Sequence, residues 1–134
     1  MLEVKNIHQY YGGSHILRDV SLSAELGQVT VLLGRNGVGK TTLLKSLMGL
    51  VPIKSGSVTL NGQDLTRAKP YERAAAGIGY VPQDGALFPH LSVADNVAYG
   101  LVNRKVPKAE VRARVHELVA LVGLPGSEGK YPAQ

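Results

Sequence analysis

Nine residues constrain this chain more than any others: Gly34-Arg35-Asn36-Gly37-Val38-Gly39-Lys40-Thr41-Thr42. They read G-x-x-x-x-G-K-T, the phosphate-binding P-loop pattern, between an apolar run and a stretch with helical spacing. Three glycines within six residues let the backbone turn tightly enough for successive N–H groups to converge on an anion. Lys40 can then reach the β- and γ-phosphates of a nucleotide, and the Thr41 hydroxyl can ligate Mg²⁺. A helix starting at this point aims its positive dipole end at the same anion. A glycine-rich turn beside a lysine would match the pattern by chance in roughly one chain of this length in a few hundred.

The preceding residues fit that context. Gln28-Val29-Thr30-Val31-Leu32-Leu33 is almost continuously apolar and β-branched, as expected of a strand buried on both faces of a parallel sheet. Thr41 to Leu50 carries Leu43, Leu44, Leu47 and Met48, which cluster on one helical face. Upstream, Leu2-Glu3-Val4-Lys5-Asn6-Ile7 alternates like a half-buried strand. Gly12-Gly13-Ser14 then supplies a turn, and Ile16-Leu17 with Val20–Ala24 returns as an antiparallel partner.

Downstream, Gly56–Leu60 followed by Asn61-Gly62 reads as a strand ending in a tight turn. Pro70 can open a short helix that stops at Gly77. Gly77–Pro82 is a second core-strand candidate, with Pro82 marking its end because it has no N–H for a ladder. Ser92-Val93-Ala94-Asp95 has the form of a capped helix start. Pro107 opens a last helix in which Val111, Val115, Leu118, Val119 and Val122 repeat on one face, with Gly123 as its stop. An α/β front portion is thus followed by a helical tail.

Composition narrows the class. Hydrophobic residues make up 44% and charged residues 19% of 134 residues, a globular balance with enough material for a core. The net charge of +5 is spread along the chain, and one Phe and no Trp leave no aromatic stacking platform, so nucleic acid is not an expected partner. Without cysteine there is no disulfide framework or thiolate metal site. His8, His15, His90 and His116 show no ligand spacing and read as surface or packing residues. No apolar run reaches the roughly 18 residues of a membrane span.

Two further features separate this chain from other P-loop proteins. Tyr11 lies 29 residues before Lys40 on the opening antiparallel strand. Gly79-Tyr80-Val81-Pro82-Gln83 places a glutamine after the second core-strand candidate. Together with the P-loop they resemble the ATP-binding subunits of ABC transporters, over essentially the whole chain. Residues up to about Gln83 look most like the ATPases of branched-chain amino acid and urea importers. From Asp84 onward, Ala86-Leu87-Phe88-Pro89, Asn96–Gly100 and Tyr131-Pro132-Ala133-Gln134 look more like importers of sugars, polyamines, iron or sulfate.

The resemblance implies an α/β P-loop NTPase fold of ABC type, here in part: an antiparallel β opening, an incomplete parallel core sheet and a helical subdomain. Its parts would be residues 1–83, the nucleotide-binding core, and residues 84–134, the helical subdomain. It implies ATP and Mg²⁺ as cofactors, held by Gly34, Asn36, Gly37, Gly39, Lys40, Thr41 and Thr42. Tyr11 would stack on adenine, with Tyr10 on the opposite face unless the register slips by one. Gln83 would sit near Mg²⁺ and the attacking water, so that Thr41 and Gln83 are the metal-site residues and Lys40 and Gln83 the catalytic ones. Phe88 and its neighbours would either dock on membrane-spanning permease subunits or fill the domain's own core. A second ATP-binding subunit would pack head-to-tail, and the protein would be cytoplasmic, on the inner face of the membrane through its permease.

Tyr131-Pro132-Ala133-Gln134 resembles the residues just before the family's Leu-Ser-Gly-Gly-Gln signature. The signature, the Walker B aspartate, the catalytic glutamate and the switch histidine do not occur in these 134 residues. Neither Asp64, Asp84 nor Asp95 ends an apolar strand as a Walker B aspartate does. The expectation is therefore a truncated cassette that binds ATP, hydrolyses little alone and is poorly soluble. The alternatives are a non-hydrolysing ATP-binding regulatory module, another P-loop enzyme such as a small kinase, or a non-functional truncation product.

Overall fold

A computed structural model describes residues 1–83, 85 and 87–134. Asp84, and Ala86 of the Ala86–Pro89 stretch, lie outside the described residues. The chain forms two compact units, Met1–Tyr80 and Val81–Gln134.

The first unit is built on an antiparallel sheet of order β2-β1-β3-β4. Its strands are β1 (Leu2–Tyr11), β2 (Ser14–Ala24), β3 (Ser55–Leu60) and β4 (Gln63–Asp64). The β1–β2 hairpin turns at Gly12-Gly13, as the turn residues predict. Between β3 and β4, Asn61 (φ 49°) and Gly62 (φ 81°) are both left-handed, the conformation a two-residue type I′ turn demands. One face of the sheet carries Val4, Ile7, Leu17 and Val58, and helix α1 (Lys40–Leu47) buries Leu43 and Leu47 in the same cluster. Burial of such side chains is worth about 1.5–3 kcal/mol each, which fixes α1 to the sheet. Leu44 is exposed and Met48 only half-buried, so the buried stripe of α1 is narrower than its four apolar residues suggest.

Strand β1 is not regular. Its register with β2 shifts between Val4 and Ile7 and again around Gln9. At the first shift Asn6 adopts φ 49° and binds the Asp19 carboxylate through Nδ2 at 2.7 Å. Gly56 of β3 lies against this bulge: a Cβ there would meet the Asn6 carbonyl oxygen at 2.5 Å, and its φ of 99° is one only glycine takes easily.

The two core strands expected at Gln28–Leu33 and Gly77–Pro82 are not strands in this structure. Val29 and Leu33 are 92% and 85% exposed. A strand of a parallel sheet exists only while at least one neighbouring strand pairs with its ladder groups, and among the described residues none flanks either segment. The pattern reports what these segments would bury, not that their partners are present.

After α2 (Pro70–Ala75), which begins at Pro70 and is followed by Gly77 as expected, the second unit is helical. Helix α3 (Val93–Asn103) starts at Ser92, whose hydroxyl accepts from the Asp95 N–H. Helix α4 (Lys108–Leu121) follows Pro107. Val111, Val115 and Val119 of α4 are buried with Ala98 of α3. Leu118 is half-buried and Val122 exposed, at the margin of the predicted face. Among the described residues no helix is long and apolar enough to cross a membrane.

Candidate nucleotide site

The glycine-rich loop ends in α1 through Gly39, the residue that precedes the first helical turn. Its φ of 104° is left-handed, and a Cβ there would stand 3.1 Å from Leu17 Cδ2 and 3.4 Å from Ile16 Cγ2 on β2. The left-handed backbone and this close approach to the hairpin together favour glycine here.

Helix α1 leaves its positive end open. The Leu43 N–H makes the first helical bond, to the Gly39 carbonyl at 2.8 Å. The N–H groups of Lys40, Thr41 and Thr42 therefore have no acceptor within the helix. No side chain caps them, and no carboxylate lies in the first turn. Aligned N–H dipoles without a counter-charge favour an anion.

Lys40 folds back over the loop. Its Nζ donates to the Gly34 carbonyl at 2.5 Å and to that of Arg35 at 2.7 Å. An ammonium has three donors, so one remains for a ligand. The loop is thus wrapped around its own lysine, which presents the charge beside the open helix end. Thr41 is exposed, and among the described residues its hydroxyl has no recorded partner. Thr42 is half-buried, and its carbonyl accepts from Ser46 Oγ at 2.8 Å. Asn36 and Gly37 are exposed on the loop.

Tyr11 closes β1 opposite Ser14, two residues from the Ile16 that touches the loop. It is 47% exposed, and among the described residues no aromatic ring stacks on it. Tyr10 is different: its ring lies parallel on His15, centroids 4.1 Å apart. The hairpin therefore occupies one tyrosine and leaves the other free. Gln83 belongs to the second unit and is exposed there.

One residue that supports the site was invisible to motif reading. Arg73 of α2 is only 3% exposed. Its Nη1 donates to the Ser46 and Leu47 carbonyls, Nε to Ala68 and Nη2 to Thr66, all at 2.7–2.9 Å. It neutralises the negative C-terminal end of α1 while the opposite end stays open. Burial pulls the guanidinium below its usual pKa, and four carbonyl acceptors offset that cost. An arginine on a short helix carries no sequence signal for such a role.

In the second unit, Phe88 packs on Tyr99 with ring centroids 4.5 Å apart, and both rings stay partly exposed. Phe88 therefore fills the unit's own surface while keeping an apolar face outward.

A glycine cradle, an inward lysine and an uncapped helix end agree with what sequence comparison finds. The ABC transporter family model matches residues 17–133. The chain belongs to this family. It is 46% identical over its full length to the sulfate/thiosulfate import ATP-binding protein CysA of Nocardia farcinica, covering 40% of that protein. It is 47% identical over 99% of its length to CysA 2 of Chromobacterium violaceum, covering 35%. Similarity extends to archaea: the molybdate/tungstate import ATP-binding protein WtpC of Thermococcus kodakarensis is 45% identical over 92% of this chain, which covers 36% of that protein. The chain thus spans well under half the length of these relatives. Each of these relatives is named as an import ATP-binding protein.

Proposed function

We propose that residues 1–134 form the nucleotide-binding portion of an ABC importer ATPase, holding MgATP on the loop from Gly34 to Thr42. The observation that carries this reading is the uncapped, carboxylate-free N-terminus of α1 beside the inward-folded Lys40. The β- and γ-phosphates are held by the N–H groups of Gly37, Gly39, Lys40, Thr41 and Thr42 and by the Lys40 ammonium, with Gly34 and Asn36 shaping the loop. Adenine stacks on Tyr11, which is half exposed and on which, among the described residues, no aromatic ring is stacked. Thr41 offers its hydroxyl to Mg²⁺, which supplies charge neutralisation on the phosphates when bound. Gln83 completes the metal site and senses its state.

In the whole protein, a second ATP-binding subunit packs head-to-tail and the helical part docks on permease subunits at the cytoplasmic face of the membrane. The importer assignment is supported by the names of the relatives. Cargo is recognised by other subunits, so no residue here selects it.

The test is nucleotide binding by fluorescence anisotropy with a labelled ATP and Mg²⁺. Lys40→Ala is expected to weaken binding at least tenfold, in line with about 1.5–3 kcal/mol for a charged hydrogen bond. Tyr11→Ala should cost about 1–3 kcal/mol of stacking, and Tyr10→Ala far less. Equal affinity in wild type and Lys40→Ala overturns the reading. Hydrolysis by residues 1–134 alone is expected to be negligible, and Lys40-dependent turnover at a robust rate would refute that part.

A further inference from the structure

We propose that His8 and His15 form a two-imidazole chelate for a divalent cation that prefers nitrogen ligands, Zn²⁺ or Cu²⁺, on the β1–β2 hairpin. His8 lies between the fully buried Ile7 and Gln9, so strand alternation sends its side chain away from the core. Tyr10 pairs with His15, which makes His8 and His15 diagonal neighbours on that face. The register shifts around Gln9 then bring His8 Nδ1 within 3.1 Å of His15 Nε2.

That separation suits a shared metal. Two nitrogens 3.1 Å apart, each at about 2.05 Å from an ion, subtend about 100° at it, between octahedral and tetrahedral values. Imidazole selects Zn²⁺ or Cu²⁺ over Mg²⁺. Without metal, one ring's proton bridges the two nitrogens. With metal, that proton moves to the far nitrogen of its own ring. On His8 this is Nε2, which faces the Asp19 carboxylate at 3.9 Å. Asn6 Nδ2 holds the same Asp19 oxygen at 2.7 Å. A carboxylate behind a histidine, itself oriented by a hydrogen bond, is the outer-shell arrangement that fixes metal-binding imidazoles. The Tyr10 ring stacked on His15 restrains the second imidazole. Among the described residues no third His, Cys, Asp or Glu side chain joins the pair, so water completes the shell and binding is reversible.

Zinc titration by calorimetry and Cu²⁺ EPR on the full chain test this, using His8→Gln, His15→Gln, the double variant, Asp19→Asn and a His116→Gln control. One ion per chain is expected, with affinity falling at least tenfold in either single histidine variant and about tenfold in Asp19→Asn. His116→Gln should leave it unchanged. The wild-type Cu²⁺ spectrum should show splitting from two imidazole nitrogens. A one-nitrogen spectrum in wild type, equal zinc affinity in the double variant, or loss confined to His116→Gln would each overturn the assignment. The wild-type spectrum decides even if a variant misfolds.

Discussion

The Arg73 guanidinium donates through one nitrogen to both Leu47, at 2.7 Å, and Ser46, at 2.9 Å, the last carbonyls of the helix whose other end meets the glycine loop. The charge of α2 therefore anchors the helix whose opposite, N-terminal N–H groups are left uncapped. Arg73→Ala removes four side-chain hydrogen bonds to carbonyls, two of them buried, and is expected to destabilise the first unit by about 3 kcal/mol or more. Arg73→Lys should recover little, because an ammonium cannot span the same fork of acceptors. Urea denaturation followed by circular dichroism measures both, and a loss below about 0.5 kcal/mol for Arg73→Ala would show the anchor to be dispensable.

Alanine at three glycines should cost stability in a definite order. At Gly56 a Cβ meets backbone oxygen at 2.5 Å, which cannot move without opening the bulge. At Gly39 it meets the end of the Leu17 side chain at 3.1 Å, which can shift slightly. At Gly37 it meets open space, leaving only the penalty for its φ of 81°. Left-handed strain alone costs about 1–3 kcal/mol, so Gly37→Ala sets the floor and Gly56→Ala the ceiling. Thermal midpoints of the three variants give the order directly. Gly37→Ala matching or exceeding Gly56→Ala would contradict it.

Local signals were legible in the sequence and distant ones were not. The Gly12-Gly13 and Asn61-Gly62 turns, the Ser92 cap and the Pro70 and Pro107 helix starts depend on a few neighbouring residues, and the structure has them all. The loop before α1 is local in the same way: Lys40 binds carbonyls five and six residues before it. Gln28–Leu33 is not a strand because, among the described residues, no strand lies beside it to complete its ladder. Arg73 meets carbonyls 26 and 27 residues away, and no periodicity encodes that. The His8–His15 contact depends on register shifts around Gln9, which regular alternation does not anticipate.

Asp64 should set part of the acid sensitivity of the β3–β4 corner. Its carboxylate accepts from the Thr66 N–H at 2.8 Å, and hydrogen bonding to Thr66, then the nearby Arg67 charge, holds its pKa below the usual value. A depressed carboxylate pKa contributes stability above the unfolded value, near 3.9, and loses it as pH falls through the lower folded value. Wild type should therefore lose stability below about pH 4 in a step that Asp64→Asn lacks. Denaturation midpoints between acidic and neutral pH compare the two. Parallel curves for both proteins would mean that Asp64 does not contribute.

Asn96 holds the loop that enters α3. Its Oδ1 accepts from the Phe88 N–H at 2.9 Å, while Nδ2 is shared among the carbonyls of Phe88, Leu91 and Ser92 at 3.0–3.1 Å. This one amide fixes the path of residues 88–92 and so the seat of Phe88 on Tyr99. Asn96→Ala removes both functions and should cost about 1–3 kcal/mol. Asn96→Asp should cost at least as much, because a carboxylate keeps the acceptor but turns negative oxygen towards three carbonyls. Ser92→Ala, which removes the cap and the hydroxyl's bond to the Asp95 carboxylate, should cost about 1 kcal/mol. Hydrogen exchange at the Phe88 amide separates these effects: fast exchange is expected in Asn96→Ala, with near-native protection in Ser92→Ala. Equal protection in all three variants would mean that the loop is held by something other than Asn96.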